Sequence, residues 1–405
     1  MINSNKTCFL FTNSSPYGND EIFVKNEIPF LTRFFKKVVV FPLNAGKEDE
    51  VRENSAFETK YIFNDLAFNS KQVLKENLFL VIRLFLIEFS SHPKQSILNF
   101  RNLFSNIVQQ IFKAKKLLKE LEYLNLSEIV FYSYWMDRWV TILGIVKLLK
   151  PEIKIITRAH AFDLYEEDNR NGIIIFRKFQ LQSVDKVFAV SNHGKNYLKS
   201  KYTKYSNKFE SAYLGSKAHH EINIIPNDGK LHIVSCGSVQ DRKRIKEIPE
   251  ILSHLKQPFL WTHFGDGEEM ELLKANILKY KIKDYVVLKG HVSNQDFLSF
   301  LKEEKCSLFL SVSRNEGLPY SIIEAISYGL PIFATDAMGC SEIANDITGE
   351  TLPLNFDHQL IALEIENFMA SEKNNENYRK TIQNYHHLNF NNQINYNKFY
   401  KEISA

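Results

Sequence analysis

From residue 231 onward, short apolar runs alternate with helical patterns, and no other feature constrains the fold as tightly. Runs at 231–236, 259–264, 285–288, 307–312 and 331–334 read as strands, separated by helical patterns at 245–255, 268–279, 294–304 and 319–328. Near-continuous apolar strands spaced by helices predict a parallel sheet covered on both faces. The first half carries the same rhythm at 8–12, 37–41, 128–132, 154–157 and 186–190, interrupted by a long helical stretch at about 66–124. A chain of 405 residues exceeds one ordinary domain, so two are expected. Their boundaries read as 1–216 for the first, with 66–124 as its elaboration, and 231–385 for the second. Residues 217–230 are polar and contain Pro226, Asp228 and Gly229, the composition of a linker. Residues 386–405 form a terminal helical segment.

Composition excludes several classes. Hydrophobic content of 44% and charged content of 24% are those of a soluble globular protein. A net charge of +4 gives no support to a nucleic-acid role. Cys8, Cys236, Cys306 and Cys340 are far apart, with neither metal spacing nor a disulfide framework, so a reducing cytoplasm is expected. The first apolar run, 8–12, is too short for a signal-peptide core. The longest apolar stretch, 78–89, is broken by Arg83 and Glu88, far short of the roughly 20 residues of a membrane span. The segment that follows mixes apolar residues with Lys94, Arg101 and Lys113. Such a helix either rests on anionic lipid, as at the inner face of the cytoplasmic membrane, or presents a solvated face from a core helix.

Glu316 and Glu324 stand in the stretch S-R-N-E-G-L-P-Y-S-I-I-E-A-I-S-Y-G-L-P-I-F-A-T. Glu316 falls in a polar loop after one strand, and Glu324 projects from the helix that the loop feeds. Pro319 suits the first turn of that helix, and Gly329 with Pro331 ends it. Loops at the C-terminal ends of parallel strands are where such sheets bind ligands. The N–H groups of Leu318, Tyr320 and Ser321 at the helix start suit a phosphate. Phosphate donors flanked by two hydroxyl-accepting carboxylates suit a sugar nucleotide.

This stretch resembles the Glu–seven residues–Glu signature of retaining glycosyltransferases of the large fourth family, with the GT-B fold. The usual wording there is close to E-G-F-G-x-x-x-x-E-A-x-A-x-G-x-P-V-x-A-T. Both acids match, as do Gly317, Ala325, Gly329, Pro331, Ala334, Thr335 and Asp336. The resemblance implies two Rossmann-like, doubly wound domains facing across a cleft, with the last helix crossing back to the first. It also implies Glu324 on the ribose hydroxyls, Glu316 and the Gly317 N–H on the sugar, and Lys243 with the helix start on the diphosphate.

Other loops carry further candidates. In Gly237-Ser-Val-Gln-Asp-Arg-Lys-Arg244, Gly237 lets the backbone turn close to a ligand, and Arg242, Lys243 and Arg244 place cations where a leaving diphosphate gains charge. The family's usual G-R-x-x-x-x-K has Ser238 here in place of its Arg, so Arg242 or Arg244 must supply the second cation, or the donor is held differently. Gly265 lies in a turn resembling the family's G-x-G-x, and Met338 replaces a family glycine. His160 and Asp163, in T-R-A-H-A-F-D-L-Y, resemble the wording of family members that build bacterial surface polysaccharide, with His160 bonding the transferred sugar. Tyr134, Trp135 and Asp137 follow another strand and suit an acceptor, with core packing an equal alternative for Trp135. Gly18 is the candidate loop glycine after the first strand, with Asp20 as cap of the next helix.

The implied activity is retaining transfer of a hexosyl-type sugar from a nucleotide-sugar donor to a saccharide or lipid-linked acceptor in bacterial surface polysaccharide biosynthesis. No cofactor and no metal are expected. Two rivals stay open: a nucleotide-sugar 2-epimerase, and a non-catalytic nucleotide-sugar-binding scaffold of the same fold.

Overall fold

The strands of the first half form one sheet in the order β3-β2-β1-β4-β5-β6-β7, and every pairing in it is parallel. They are β1 (Ser4–Thr12), β2 (Phe35–Pro42), β3 (Glu58–Thr59), β4 (Ile129–Ser133), β5 (Lys154–Ala159), β6 (Lys186–Ala189) and β7 (Phe209–Ser211). The computed structural model describes residues 4–17, 21–44, 57–63 and 68–405. A second sheet, also wholly parallel, has the order β10-β9-β8-β11-β12-β13. Its strands are β8 (Leu231–Cys236), β9 (Phe259–Phe264), β10 (Val286–Leu288), β11 (Leu308–Ser311), β12 (Ile332–Thr335) and β13 (Gly349–Leu352).

The expected strands are all present. Those the sequence did not announce, β3, β7 and β13, are edge strands of two to four residues, too short to carry a periodic signal. Central strands are buried on both faces, as helix-covered parallel sheets require. Trp261, Ile233, Leu310 and Phe333 are each 0% exposed in the core of the second sheet. Side chains of this size contribute about 1.5–3 kcal/mol apiece on burial.

The chain divides into two units. The first comprises Met1–Val190, Gly194–Ala212 and Tyr396–Ala405; the second comprises Ser191–His193 and Tyr213–Asn395. Residues 217–230, expected as a linker, pack on the second unit. Asn223 donates to the Leu301 and Glu304 carbonyls at 2.7 and 2.8 Å and accepts from the Cys306 N–H at 3.0 Å. In the stretch read as a helical elaboration lie the helices Ser70–Glu76, Leu78–Ser91, Pro93–Leu98 and Phe100–Glu120. Among the described residues, no helix is long and apolar enough to cross a membrane.

The last helix, Asn392–Ser404, gives its C-terminal part to the first unit. Tyr396 meets Phe30 edge-on at 5.1 Å, and the Tyr400 hydroxyl donates to Glu27. Glu27 also bonds Arg158 at 2.7 Å and accepts from the Tyr134 hydroxyl at 3.1 Å; both charged side chains are almost fully buried. The Arg158 guanidinium lies over the Phe399 ring at 4.2 Å. Such a pair holds only while both partners are present. Glu27→Ala therefore strands a buried cation and should cost about 3–5 kcal/mol, read as a fall in the denaturant midpoint of the first unit's unfolding. An unchanged midpoint would refute this role.

Candidate active site

In the second unit the strand order reverses between β8 and β11, which is where ligands meet open parallel sheets. Gly237 follows β8 and Gly265 follows β9. The Gly237 N–H donates to the Phe264 carbonyl at 2.9 Å, and a Cβ on Gly265 would fall 1.9 Å from the Gly237 oxygen. Gly265 has φ +146°, a conformation side chains disfavour. A glycine there lets the two loops touch.

Glu316 hangs from the loop after β11 and is 7% exposed. Its carboxylate pairs with the Lys243 ammonium, accepts from the Ser313 hydroxyl at 3.0 Å and lies 3.8 Å from the Arg242 guanidinium. The neighbouring loop is locked on: Gly339 N–H donates to the Glu316 carbonyl at 3.0 Å, and a Cβ on Gly339 would meet the Gly317 oxygen at 1.9 Å. Met338, standing where the family has a glycine, takes φ +56° nonetheless.

Arg244 goes elsewhere. It sits at φ +51°, and its guanidinium donates to the carbonyls of Val312, Leu354 and Ser313 at 2.5, 3.0 and 3.3 Å, over the Phe356 ring at 4.7 Å. It braces the loop, whereas Arg242, half exposed, stands beside Glu316. Of the two arginines, Arg242 is the one placed to supply the second cation.

The helix Tyr320–Ser327 follows, with Pro319 as its N-cap. Its first N–H groups precede any intrahelical acceptor. The Tyr320 hydroxyl donates to the Gly215 carbonyl at 2.9 Å, and the Ser321 hydroxyl reaches the Cys236 carbonyl at 3.4 Å. Leu318 is 7% exposed and packs inward. Glu324, one turn along, is 3% exposed and accepts from the Asn294 amide at 2.7 Å. Burial pushes its carboxyl up to about 7, against the opposing pull of that bond. Sequence reasoning missed Asn294. The available signal was its place at the first helical position after β10, behind the N-cap Ser293.

The first unit brings a second group together at its own reversal point, between β1 and β4. Tyr134 and Trp135, read as suited to an acceptor, are 1% and 9% exposed: the expected open face is corrected for Tyr134, and for Trp135 the core-packing alternative holds. Each needs a partner for its polar atom when buried: the Tyr134 hydroxyl finds Glu27, and the Trp135 indole N–H finds Glu21. Tyr134 stacks on His160 at 5.0 Å, and Trp135 packs against it at 4.2 Å with its ring tilted by 51°. Neither His160 nitrogen has a hydrogen-bond partner among the described residues, and Asp163 Oδ2 lies 3.8 Å from Nδ1. Buried nitrogens of this kind call for water or a ligand.

Asp163 positions rather than touches: its two oxygens accept the His160 and Met136 N–H groups at 2.7 and 2.8 Å. Asp137 caps the helix Arg138–Leu149 through the Trp139 N–H at 3.2 Å, and burial pushes its carboxyl up to about 7. Gly18 and Asp20 lie outside the described residues. The cap position of the next helix belongs to Glu21, whose carboxylate accepts the N–H groups of Asn13, Ser14 and Ser15 at 3.1, 2.6 and 2.6 Å.

Glu324 generates a pH prediction. Its native carboxyl binds a proton more tightly than the unfolded one, so the native state loses stability as pH rises from about 4.5 toward 7. Glu324→Gln should remove that slope, gaining on the order of 2–3 kcal/mol over wild type once the carboxyl is ionised. Parallel unfolding curves at pH 5 and 8 check it; equal differences at both pH values would sink it.

Residues 217–385 match the family model described as Glycosyl transferases group 1. The GtfA subunit of the UDP-N-acetylglucosamine–peptide N-acetylglucosaminyltransferase of Streptococcus pneumoniae is 24% identical over 253 residues, 58% of this chain and 48% of that protein. Amylovoran biosynthesis glycosyltransferase AmsD of Erwinia amylovora is 27% identical over 204 residues, 48% of this chain and 55% of that one. The chain thus spans about half the length of these curated relatives. Anabaena HepE in complex with UDP-glucose superposes with a TM-score of 0.68 at 13% identity, over 98% of both chains, a likeness of fold. The family match covers the unit that holds Lys243, Glu316 and Glu324, and the chain has the GT-B fold, with a region at residues 217–385 that matches the group 1 glycosyl transferases.

Proposed function

We propose that the protein transfers a sugar from a nucleotide-sugar donor to a hydroxyl of a saccharide or lipid-linked acceptor in bacterial surface polysaccharide biosynthesis, with retention at the anomeric carbon and without a divalent metal. The observation that carries this reading is the convergence of Lys243, Arg242 and Glu316 at the reversal point of the second sheet. Relatives point the same way: AmsD is named for amylovoran biosynthesis, and HepE is held in complex with UDP-glucose.

In this scheme the donor diphosphate takes Lys243 and Arg242, together with the helix start at Ser321. Glu316 then exchanges its ammonium partner for sugar hydroxyls, beside the Gly317 N–H. Glu324 holds the ribose hydroxyls, for which its ionised form is the better acceptor. As the bond from the anomeric carbon to the phosphate oxygen breaks, charge grows on the diphosphate, where the cations are already placed. The acceptor hydroxyl attacks from the same face and passes its proton to the leaving phosphate oxygen. The acceptor is assigned to the first unit, where His160 has ring nitrogens to spare.

Nucleoside diphosphate release should be measured over a panel of sugar nucleotides, with and without EDTA. One donor should be turned over, insensitive to EDTA, with Glu316→Ala and Lys243→Ala each lowering the rate about 10²–10³-fold. Binding without release from any donor would instead favour a scaffold. A free sugar nucleotide of altered configuration would indicate an epimerase.

The same reading places the protein at the inner face of the cytoplasmic membrane. On the helix Leu78–Ser91, the side chains of Leu78, Phe79, Ile82 and Leu86 are 48–81% exposed, with Arg83 also exposed among them. Exposed apolar residues with a cation among them suit an anionic bilayer. The protein should pellet with phosphatidylglycerol vesicles at low salt, and Phe79→Asp should release it; cosedimentation unaffected by that change would refute the contact.

A further inference from the structure

The first unit contains a cavity that the chemistry above does not use. Its volume is about 660 Å³, within the range of small-molecule pockets. The helices Pro93–Leu98 and Phe100–Glu120 contribute much of its lining, with the segment 173–176 and the loop around Asp163. Asn102, Asn106 and Gln110 are spaced four apart, so they form one carboxamide stripe along the longer helix, and all three line the cavity.

Three lining atoms have no hydrogen-bond partner among the described residues: Ser96 Oγ, Gln110 Oε1 and Gln180 Oε1. Their side chains are only 3%, 4% and 2% exposed. The Gln180 amide nitrogen is satisfied by the Asp137 carbonyl at 2.8 Å and the Thr141 hydroxyl at 3.1 Å, which leaves its oxygen as the free atom. An orphaned buried polar atom costs about 1–3 kcal/mol, so three around one cavity imply a partner that occupies it.

Charge narrows what that partner is. Glu88 accepts the Phe176 N–H at 2.8 Å and pairs with His92 at 2.9 Å, and both Asp163 oxygens are taken by backbone N–H groups. Arg138, the single cation of the lining among the described residues, is exposed. Asp137, the other carboxylate lining the cavity, accepts the Trp139 N–H at 3.2 Å. The other polar groups of the lining are uncharged amides and hydroxyls, each able to donate and accept, as a sugar hydroxyl does. An acyl chain would leave the orphaned atoms dry. Phe162, 51% exposed, offers a ring face to a pyranose. Phe162 also packs on Trp135 at 4.9 Å, which in turn packs against His160 at 4.2 Å, so a saccharide in the cavity abuts the residues assigned to the reacting hydroxyl.

We propose that this cavity binds an uncharged sugar residue of the acceptor, and that the helices Pro93–Leu98 and Phe100–Glu120 select it. The proposal rests on the glycosyl-transfer reading and deepens it. Saturation-transfer NMR on the full chain tests it, with a panel of methyl hexosides, methyl N-acetylhexosaminides and neutral di- and trisaccharides as probes. At least one probe should bind wild type, and Gln110→Leu and Asn106→Leu, each checked for folding by thermal melting, should weaken it at least tenfold. No binding by any probe, or equal binding by both variants, overturns the assignment. UDP-sugar binding measured on the same wild-type sample keeps the two readings apart. Nucleotide-sugar binding with no saccharide binding removes the cavity proposal alone, whereas saccharide binding that the variants abolish supports the cavity even if every nucleotide sugar fails.

Discussion

A parallel sheet sends every strand's C-terminal end to one edge, because each crossover must return the chain to the opposite edge before the next strand starts. Where the strand order reverses, two neighbouring crossovers leave on opposite faces and open a crevice between them. Both sheets here reverse once, between β1 and β4 and between β8 and β11. The candidate functional groups of each unit hang from loops at those points. In the second unit, the loops after β8 and β11 bring Lys243 to Glu316 across 73 residues of sequence. In the first, the loops after β1, β4 and β5 gather Glu21, Trp135 and His160.

Five carboxylates buried at or near these points solve the same desolvation problem differently, and the solution marks the job of each. Glu27 is matched by a buried guanidinium and two tyrosine hydroxyls, an arrangement that joins the last helix to the first unit. Glu21 and Asp163 are satisfied by backbone N–H groups and shape loops. Glu316 is neutralised by a lysine that a diphosphate can compete for. Glu324 has one amide and is pushed toward its neutral form. The first three are structural commitments. Glu316 and Glu324 are held by side chains alone, the kind of partner that a ligand can replace.

Much of this was legible. Strands in the interior of both sheets announced themselves because strands buried on both faces need unbroken apolar runs. The helix after Glu316 was readable from Pro319, Gly329 and Pro331, since each acts on its own stretch of backbone. Tyr134 and Trp135 were harder: an aromatic after a strand looks the same whether its ring faces solvent or packs on a histidine 25 residues away. Arg242 and Arg244 were indistinguishable as two cations in one loop. The φ of +51° at Arg244 turns its guanidinium onto carbonyls from other strands' loops, and nothing local demands that conformation.

The amino-acid order by itself determined the alternating α/β architecture, the two sheets, and the local setting of Glu316, Glu324, Lys243 and His160, because hydrophobic periodicity and turn chemistry act over a few residues. Only the tertiary structure decided which of those groups meet. It paired Asn294 with Glu324, gave Arg242 rather than Arg244 to Glu316, buried Trp135 beneath His160, and aligned a carboxamide stripe along a cavity. Those choices depend on distances between segments far apart in the chain, and such distances are set by how whole strands and helices pack.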